Sequence, residues 1–190
     1  YPMVLTHCPF APTPDSEDYD PKDPGSLTYK GESQYFPDMV TYMDKLVGKI
    51  AAKVDELGIS ENTLLIFTGD NGTDQPIVSM FRGMEYPGGK HSTKDIGTWV
   101  PLIMRWDNTI EAGRECHDLI DFSDFLPTFC EMANIELPSD FITDGVSFLP
   151  QLHGKKGNPR EWIYCWYSKF AKMDKLRELA RNHKYKLYTT

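Results

Sequence analysis

"NTLLIFTGDNG", residues 62–72, is the stretch on which the fold turns. Leu64, Leu65, Ile66 and Phe67 run without a polar residue between them, the pattern of a central strand buried on both faces. Asp70 and Asn71 follow almost directly, so a carboxylate and a carboxamide are set at the C-terminal end of that strand. This is the edge at which open α/β sheets bind ligands. Both side chains are hard oxygen donors of the kind that Ca²⁺ and Mg²⁺ accept. Asn-Gly is also the strongest short hairpin signal, so a plain tight turn stands beside metal binding as a reading. A hairpin wants an alternating strand on each side, whereas "TDQPIVSMF" at 73–81 offers a proline and no clear pairing strand.

Upstream, residues 33–57 carry a helical period. Met39, Tyr42, Met43, Leu46, Val47, Ile50, Val54 and Leu57 fall at three- and four-residue steps, and Gly58 is the stop signal. Met3–Thr6 reads as a short apolar strand between Pro2 and Pro9. Residues 9–25, with five prolines among acidic residues, read as a long surface loop, either functional or merely solvated. Downstream, "WVPLIMRW" at 99–106 is a further strand, and "SDFLPTFCEMANI" at 123–135 a short helix capped by Ser123 or Asp124. Strand and helix signals alternate, which predicts an α/β fold with a mostly parallel central sheet flanked by helices. The tail, "DKLRELARNHKYKLYTT", mixes helix formers up to Arg181 with alternation after it.

Composition narrows the function. A formal charge of −8 argues against a nucleic-acid partner, because phosphate binding needs a basic face, but leaves a local anion pocket open. No apolar run approaches the roughly 20 residues needed to cross a bilayer. Cys8, Cys116, Cys130 and Cys165 form no CxxC pair, which excludes the usual zinc spacings and gives no disulfide framework.

Two cations join Asp70 and Asn71 as candidates. His7 ends the first strand reading and is aimed at the same edge, although a core or turn histidine is the commoner case. Lys90 closes "GGK" at 88–90. Its ammonium is a point charge suited to one oxygen of an anion, and Gly88 and Gly89 would let backbone approach and add N–H donors. A solvated loop lysine is the other reading. His91, Lys94, His117 and His153 read as surface or loop residues.

In order along the chain, these segments resemble the sulfatase family, which has the alkaline phosphatase-like fold. "HCPF" at 7–10 looks like its His-x-Pro segment, and "NTLLIFTGDNG" is similar to its metal strand. "GGKHSTKDIGTWVPLIMRW" at 88–106, "DFLPT" at 124–128 and "DGVSFLPQLHG" at 144–154 look like its later segments. "ARNHKYKLY" at 180–188 is similar to its C-terminal strand hairpin, against the local helix signal. The resemblance implies that Asp70 and Asn71 are two ligands of a divalent cation, usually Ca²⁺ (or Mg²⁺), and that His7 and Lys90 contact sulfate oxygens. Asp124 and Asp144 match segments that look structural. The implied partner is a sulfated small molecule or sulfated carbohydrate, in a secreted or periplasmic setting.

The family's nucleophile is a formylglycine made in a Cys/Ser-x-Pro/Ala-x-Arg motif, and no such motif occurs here; Cys8 is followed by "PFA". A pair of N-terminal metal-binding aspartates is also absent. Both chain ends read as strand-like and as cut from something longer. The expectation is therefore the C-terminal part of a sulfatase catalytic domain at 1–155, with the start of a small C-terminal antiparallel subdomain at 156–190, inactive alone. A non-catalytic binding module with this fold is the alternative, as is a phosphodiesterase or phosphatase of the same superfamily.

Overall fold

The computed structural model describes residues 1–189, which form two compact units, one of Tyr1–Met104 and one from Arg105 onward. In the first, helix α1 spans Phe36–Glu56. Pro37 stands in its first turn, where a missing N–H costs nothing, and Asp38 and Lys53 complement the dipole at the two ends. A Schellman motif ends it. Gly58, at φ 65°, donates its N–H to Asp55 O at 3.0 Å, and Ile59 donates to Val54 O at 3.3 Å. The predicted apolar stripe is the less exposed face of α1, except at Leu57, which is exposed.

The core of this unit gathers Cys8, Phe10, Met39 and Ile77, with Leu5 and Phe36 packed against it. Phe10 sits edge-on to Phe36, ring centroids 5.7 Å apart. Phe10 belongs to the proline-rich segment, so that segment is not purely a surface loop. It is pinned by a bridge in which Phe10 N–H donates to Lys30 O and Glu32 N–H to Phe10 O, each at 2.8 Å.

Strand β1 is Leu65–Thr68, as the apolar run predicts, but it is half-buried rather than buried on both faces. Among the described residues its one paired neighbour is β4, Leu102–Arg105, and a strand gains full burial only from layers on both faces. Met3–Thr6 forms no strand. His7 N–H donates back to Val4 O at 2.8 Å in a turn, and Val4 is left exposed. An apolar run without a pairing strand has nowhere to place its backbone groups. Residues 73–81 depart from the sequence reading the other way. Val78–Phe81 (β2) pairs antiparallel with Met84–Pro87 (β3). The hairpin turns at Arg82 and Gly83, φ 50° and 77°, rather than at Asn71-Gly72. A one-turn helix α2, Asp95–Thr98, follows.

In the second unit, helix α3 spans Phe125–Met132 behind a 3₁₀ turn at Phe122–Asp124. Asp124 is the N-cap of α3, one of the two residues the sequence offers, and the side-chain capping is done one turn earlier, where Asp121 caps the 3₁₀ turn. Asp121 Oδ1 accepts the Ser123 N–H at 2.9 Å, while Asp124 Oδ2 accepts the Asp121 N–H at 2.8 Å. After α4, Leu149–Leu152, comes an antiparallel sheet of β5 (Ile163–Ser168), β6 (Leu176–Arg181) and β7 (Lys186–Tyr188). The tail is therefore strand where local propensity favoured helix. Leu179 is buried in the sheet, and Asn182 Oδ1 closes the β6–β7 turn on the N–H groups of Lys184 and Tyr185. Among the described residues, β1 and β4 form a two-stranded sheet and the other two sheets are antiparallel, so a mostly parallel central sheet is not assembled.

Candidate active site

The loop after β1 and the loop after β3 are sewn together through their backbones. Gly72 N–H donates to Gly97 O at 3.0 Å, and the N–H groups of Gly89 and Lys90 both donate to Thr73 O at 2.9 Å. Gly88 N–H donates to Ile77 O at 2.7 Å, at the base of the β2–β3 hairpin. Two glycines are required by this closeness. A Cβ on Gly72 would lie 2.2 Å from Ile96 O, and one on Gly88 would lie 1.9 Å from Asp74 O. The glycines do bring backbone close, as the sequence predicts, but close to other backbone. Their N–H groups are spent inside the loop and are not donors for an anion, which corrects the sequence reading. His91 stands at φ 73°, a conformation that glycine takes freely and histidine seldom does.

Asp70, Asn71 and Lys90 are thereby carried on one hydrogen-bonded loop pair. Asp70 and Asn71 are exposed, and Lys90 is half-buried. Among the described residues none of these three side chains has a hydrogen-bond or ion-pair partner. An unpaired half-buried ammonium and an unpaired carboxylate are open to a ligand. The donor chemistry of Asp70 and Asn71 suits a hard cation, yet such a cation takes six to eight oxygens. Among the described residues no three His, Cys, Asp or Glu side chains gather into a metal site, so this chain fits as two members of a larger ligand set.

His7 reaches the same region through its neighbour. It is exposed, and its Nδ1 lies 2.7 Å from Cys8 O, which can only accept, so Nδ1 carries a proton. Nε2 is then the free ring nitrogen, and it becomes a second donor when the ring is protonated. Cys8 is buried, with its Sγ 3.7 Å from His7 Nδ1 and its thiol close enough to the Asp74 carboxylate to help hold it down. That carboxylate also pairs with Lys30 Nζ and accepts the Gln75 N–H at 2.9 Å. Burial pushes the Asp74 carboxyl upward, but the hydrogen bonds from Lys30 and Gln75, with the Cys8 thiol close by, outweigh it and leave the carboxyl below its ordinary value. The same hydrogen bond to Asp74 raises Lys30. Sequence reasoning missed Asp74 and Lys30, because they are 44 positions apart and neither lies in a recognisable motif.

In the second unit Asp124 is buried and holds structure together. Its carboxylate takes Arg160 through both Nε and Nη2, and also the Val146 N–H at 2.8 Å. Arg160 further donates to Asp144 O at 2.9 Å. These bonds agree with the structural reading of Asp124 and Asp144; no sequence signal singled out Arg160.

Asp-Asn at the end of β1, laced to a lysine loop and beside a histidine segment, sets hard oxygen donors and an ammonium on one loop pair of an α/β protein. The comparisons give this class a family. The sulfatase family model matches residues 4–135, and the model for the C-terminal region of N-sulphoglucosamine sulphohydrolase matches residues 90–189. The chain belongs to the sulfatase family. It is 36% identical to human (Homo sapiens) steryl-sulfatase over 138 residues, which is 68% of this chain and 24% of that protein. It is 35% identical to dog (Canis lupus familiaris) N-acetylgalactosamine-6-sulfatase over 143 residues, 73% of this chain and 27% of that protein. Among solved structures it is similar to BT4656 in complex with its substrate D-glucosamine-2-N,6-O-disulfate, with a TM-score of 0.65 at 25% identity, covering 82% of this chain and 31% of that one. It is also similar to the PsFucS1 sulfatase from Pseudoalteromonas sp., with a TM-score of 0.62 at 30% identity, covering 80% and 30%. These likenesses agree with the alkaline phosphatase-like α/β fold. The chain spans about a quarter of the length of the curated relatives it matches.

Proposed function

We propose that this chain is the part of a sulfatase that contacts the metal and the sulfate, and that the complete protein hydrolyses sulfate esters. Asp70 and Asn71 hold a divalent cation, Ca²⁺ or Mg²⁺, together with ligands outside this chain. That cation, when bound, offsets charge on the sulfate oxygens. Lys90 places its ammonium on a sulfate oxygen, and His7, protonated, donates from Nε2 to another. Both stabilise the charge that develops as the ester bond breaks, and both are held before the substrate arrives. The nucleophile, a formylglycine, lies outside this chain, so the 190 residues alone are inactive. The catalytic α/β domain takes residues 1–155, with β1 and β4 in its mostly parallel sheet, and a small C-terminal subdomain takes 156–190. The substrate is a sulfated carbohydrate or small molecule, met in a secreted or periplasmic setting.

The observation that carries this reading is the pair of N–H groups, Gly89 and Lys90, on the single carbonyl of Thr73. They fix a lysine that has no side-chain partner among the described residues on the loop pair that carries an aspartate and an asparagine that have none among them either. The test is hydrolysis of an aryl sulfate by the complete protein, with and without a chelator. Turnover that chelation abolishes and Ca²⁺ restores supports the reading; absence of turnover on a panel of sulfate esters overturns it.

A further inference from the structure

Asp74 has no part in the chemistry above, yet it touches every segment that has one. Its side chain is 12% exposed and takes two donors, Lys30 Nζ and the Gln75 N–H, with the Cys8 thiol close beside it. Cys8 adjoins His7, and its carbonyl is the acceptor for His7 Nδ1. On its other side Asp74 follows Thr73, the acceptor for Gly89 and Lys90, and its own carbonyl accepts the Ile77 N–H at 3.1 Å. That same carbonyl is the atom that leaves no room for a Cβ on Gly88. The histidine segment and the lysine loop therefore meet at residues 73 and 74.

A nearly buried carboxylate is costly unless it is paired, and Lys30 pairs it. Lys30 is in turn anchored, since its carbonyl accepts the Phe10 N–H of the same core segment that carries Cys8. Removing the charge at 74 would loosen three attachments at once while leaving every candidate ligand and cation in place.

We propose that Asp74 is a positioning residue, which binds the His7 segment to the loop pair bearing Asp70, Asn71 and Lys90 and so sets His7 and Lys90 at a fixed separation. Its consequence for turnover rests on the sulfatase reading; its consequence for the loops does not. Asp74→Asn keeps the size and an acceptor for Gln75 but brings an amide against Lys30 and removes the ion pair.

The experiment follows amide hydrogen exchange and aryl sulfate kinetics in the complete protein, for wild type, Asp74→Asn and Lys30→Met. In Asp74→Asn, exchange in peptides covering 4–10 and 88–92 rises at least ~10-fold while the β5–β6 peptide at 163–181 stays as it was. The rate kcat falls at least ~10-fold, as loss of aligned charge-stabilising donors requires. Lys30→Met, which leaves the Cys8 and Gln75 contacts, gives a smaller change in the same direction. Unchanged exchange at 4–10 and 88–92, or a rise spread equally over 163–181, overturns the proposal. So does loosened exchange with kcat unchanged. If Asp74→Asn does not fold, Lys30→Met decides by the same two peptides. If wild type hydrolyses no sulfate ester, the sulfatase reading falls and exchange alone decides the role of Asp74.

Discussion

The amide of Lys90 donates to the carbonyl of Thr73 at 2.9 Å, so the lysine loop is bonded directly to the loop that carries Asp70 and Asn71. A lysine on such a tether is not a free surface cation. Its ammonium swings from a fixed backbone, so under the proposed function part of the entropy of finding an anion is already spent.

Replacing Lys90 is the most direct consequence. In the complete protein Lys90→Ala lowers kcat/KM on an aryl sulfate at least about tenfold, and His7→Ala does the same, because each removes one preorganised donor. Lys90→Arg rescues poorly, since a planar fork does not reproduce a point charge on a single oxygen. Steady-state kinetics decide this, and rates equal to wild type would remove the two residues from the site.

The glycines make a prediction about stability. Gly72→Ala and Gly88→Ala each drive a Cβ onto a backbone oxygen that cannot rotate away, at 2.2 and 1.9 Å. Each costs about 1–3 kcal/mol or more in urea unfolding, as overpacking does. Gly48→Ala, in the middle of α1 with open space around it, goes the other way and stabilises by roughly 0.5–1 kcal/mol. Equal melting temperatures for Gly88→Ala and wild type would mean that the two loops lie further apart than described.

Much of this was written in the sequence, and the exceptions have physical causes. The stripe from Met39 to Val54 gave α1 because helical period is a local property, and Gly58 stopped it for the same reason. The apolar run at 64–67 gave β1. What failed was everything that needed a distant partner. Met3–Thr6 is apolar but finds no pairing strand, while 78–81 lacks clean alternation and pairs with 84–87 through a favourable turn. Residues 176–181 prefer helix locally, and β5 overrides them. At the site, Asp70, Asn71 and Lys90 stood out as motif residues, whereas Asp74 gains its meaning only from Lys30 and Cys8, which no spacing rule brings together.

The Asp74–Lys30 pair predicts a stability profile with two flanks. The Asp74 carboxyl sits below its ordinary 3.8 in the folded protein. Its contribution is complete above that value and is lost as pH falls through the lowered folded-state value. Lys30 sits above its ordinary 10.5, so its contribution is complete below that and disappears as pH rises through the raised value. In Lys30→Met the acid flank of the melting-temperature profile moves to higher pH and the alkaline flank flattens. The effect is modest because the Lys30 side chain is 46% exposed and solvent screens it. An acid flank identical to wild type would show that Lys30 does not hold the carboxyl down.

The second unit depends on Asp124 and Arg160 in a different manner. The Asp124 side chain is 2% exposed and the Arg160 side chain 10%, so neither charge has much water to fall back on. Arg160→Leu leaves the Asp124 carboxyl with the Asp121 and Val146 N–H groups but without its arginine, and costs about 3–5 kcal/mol. Arg160→Lys restores charge without the two-pronged bond and recovers only part of the loss. Asp124→Asn is milder than Arg160→Leu on the acceptor side, since its amide oxygen can still take one N–H, but it strands the arginine. The double variant Asp124→Asn/Arg160→Leu therefore costs less than the sum of the two, because no buried charge is left alone. Urea unfolding of the four proteins measures this coupling, and strictly additive losses would show that the pair is not the support of residues 121–160.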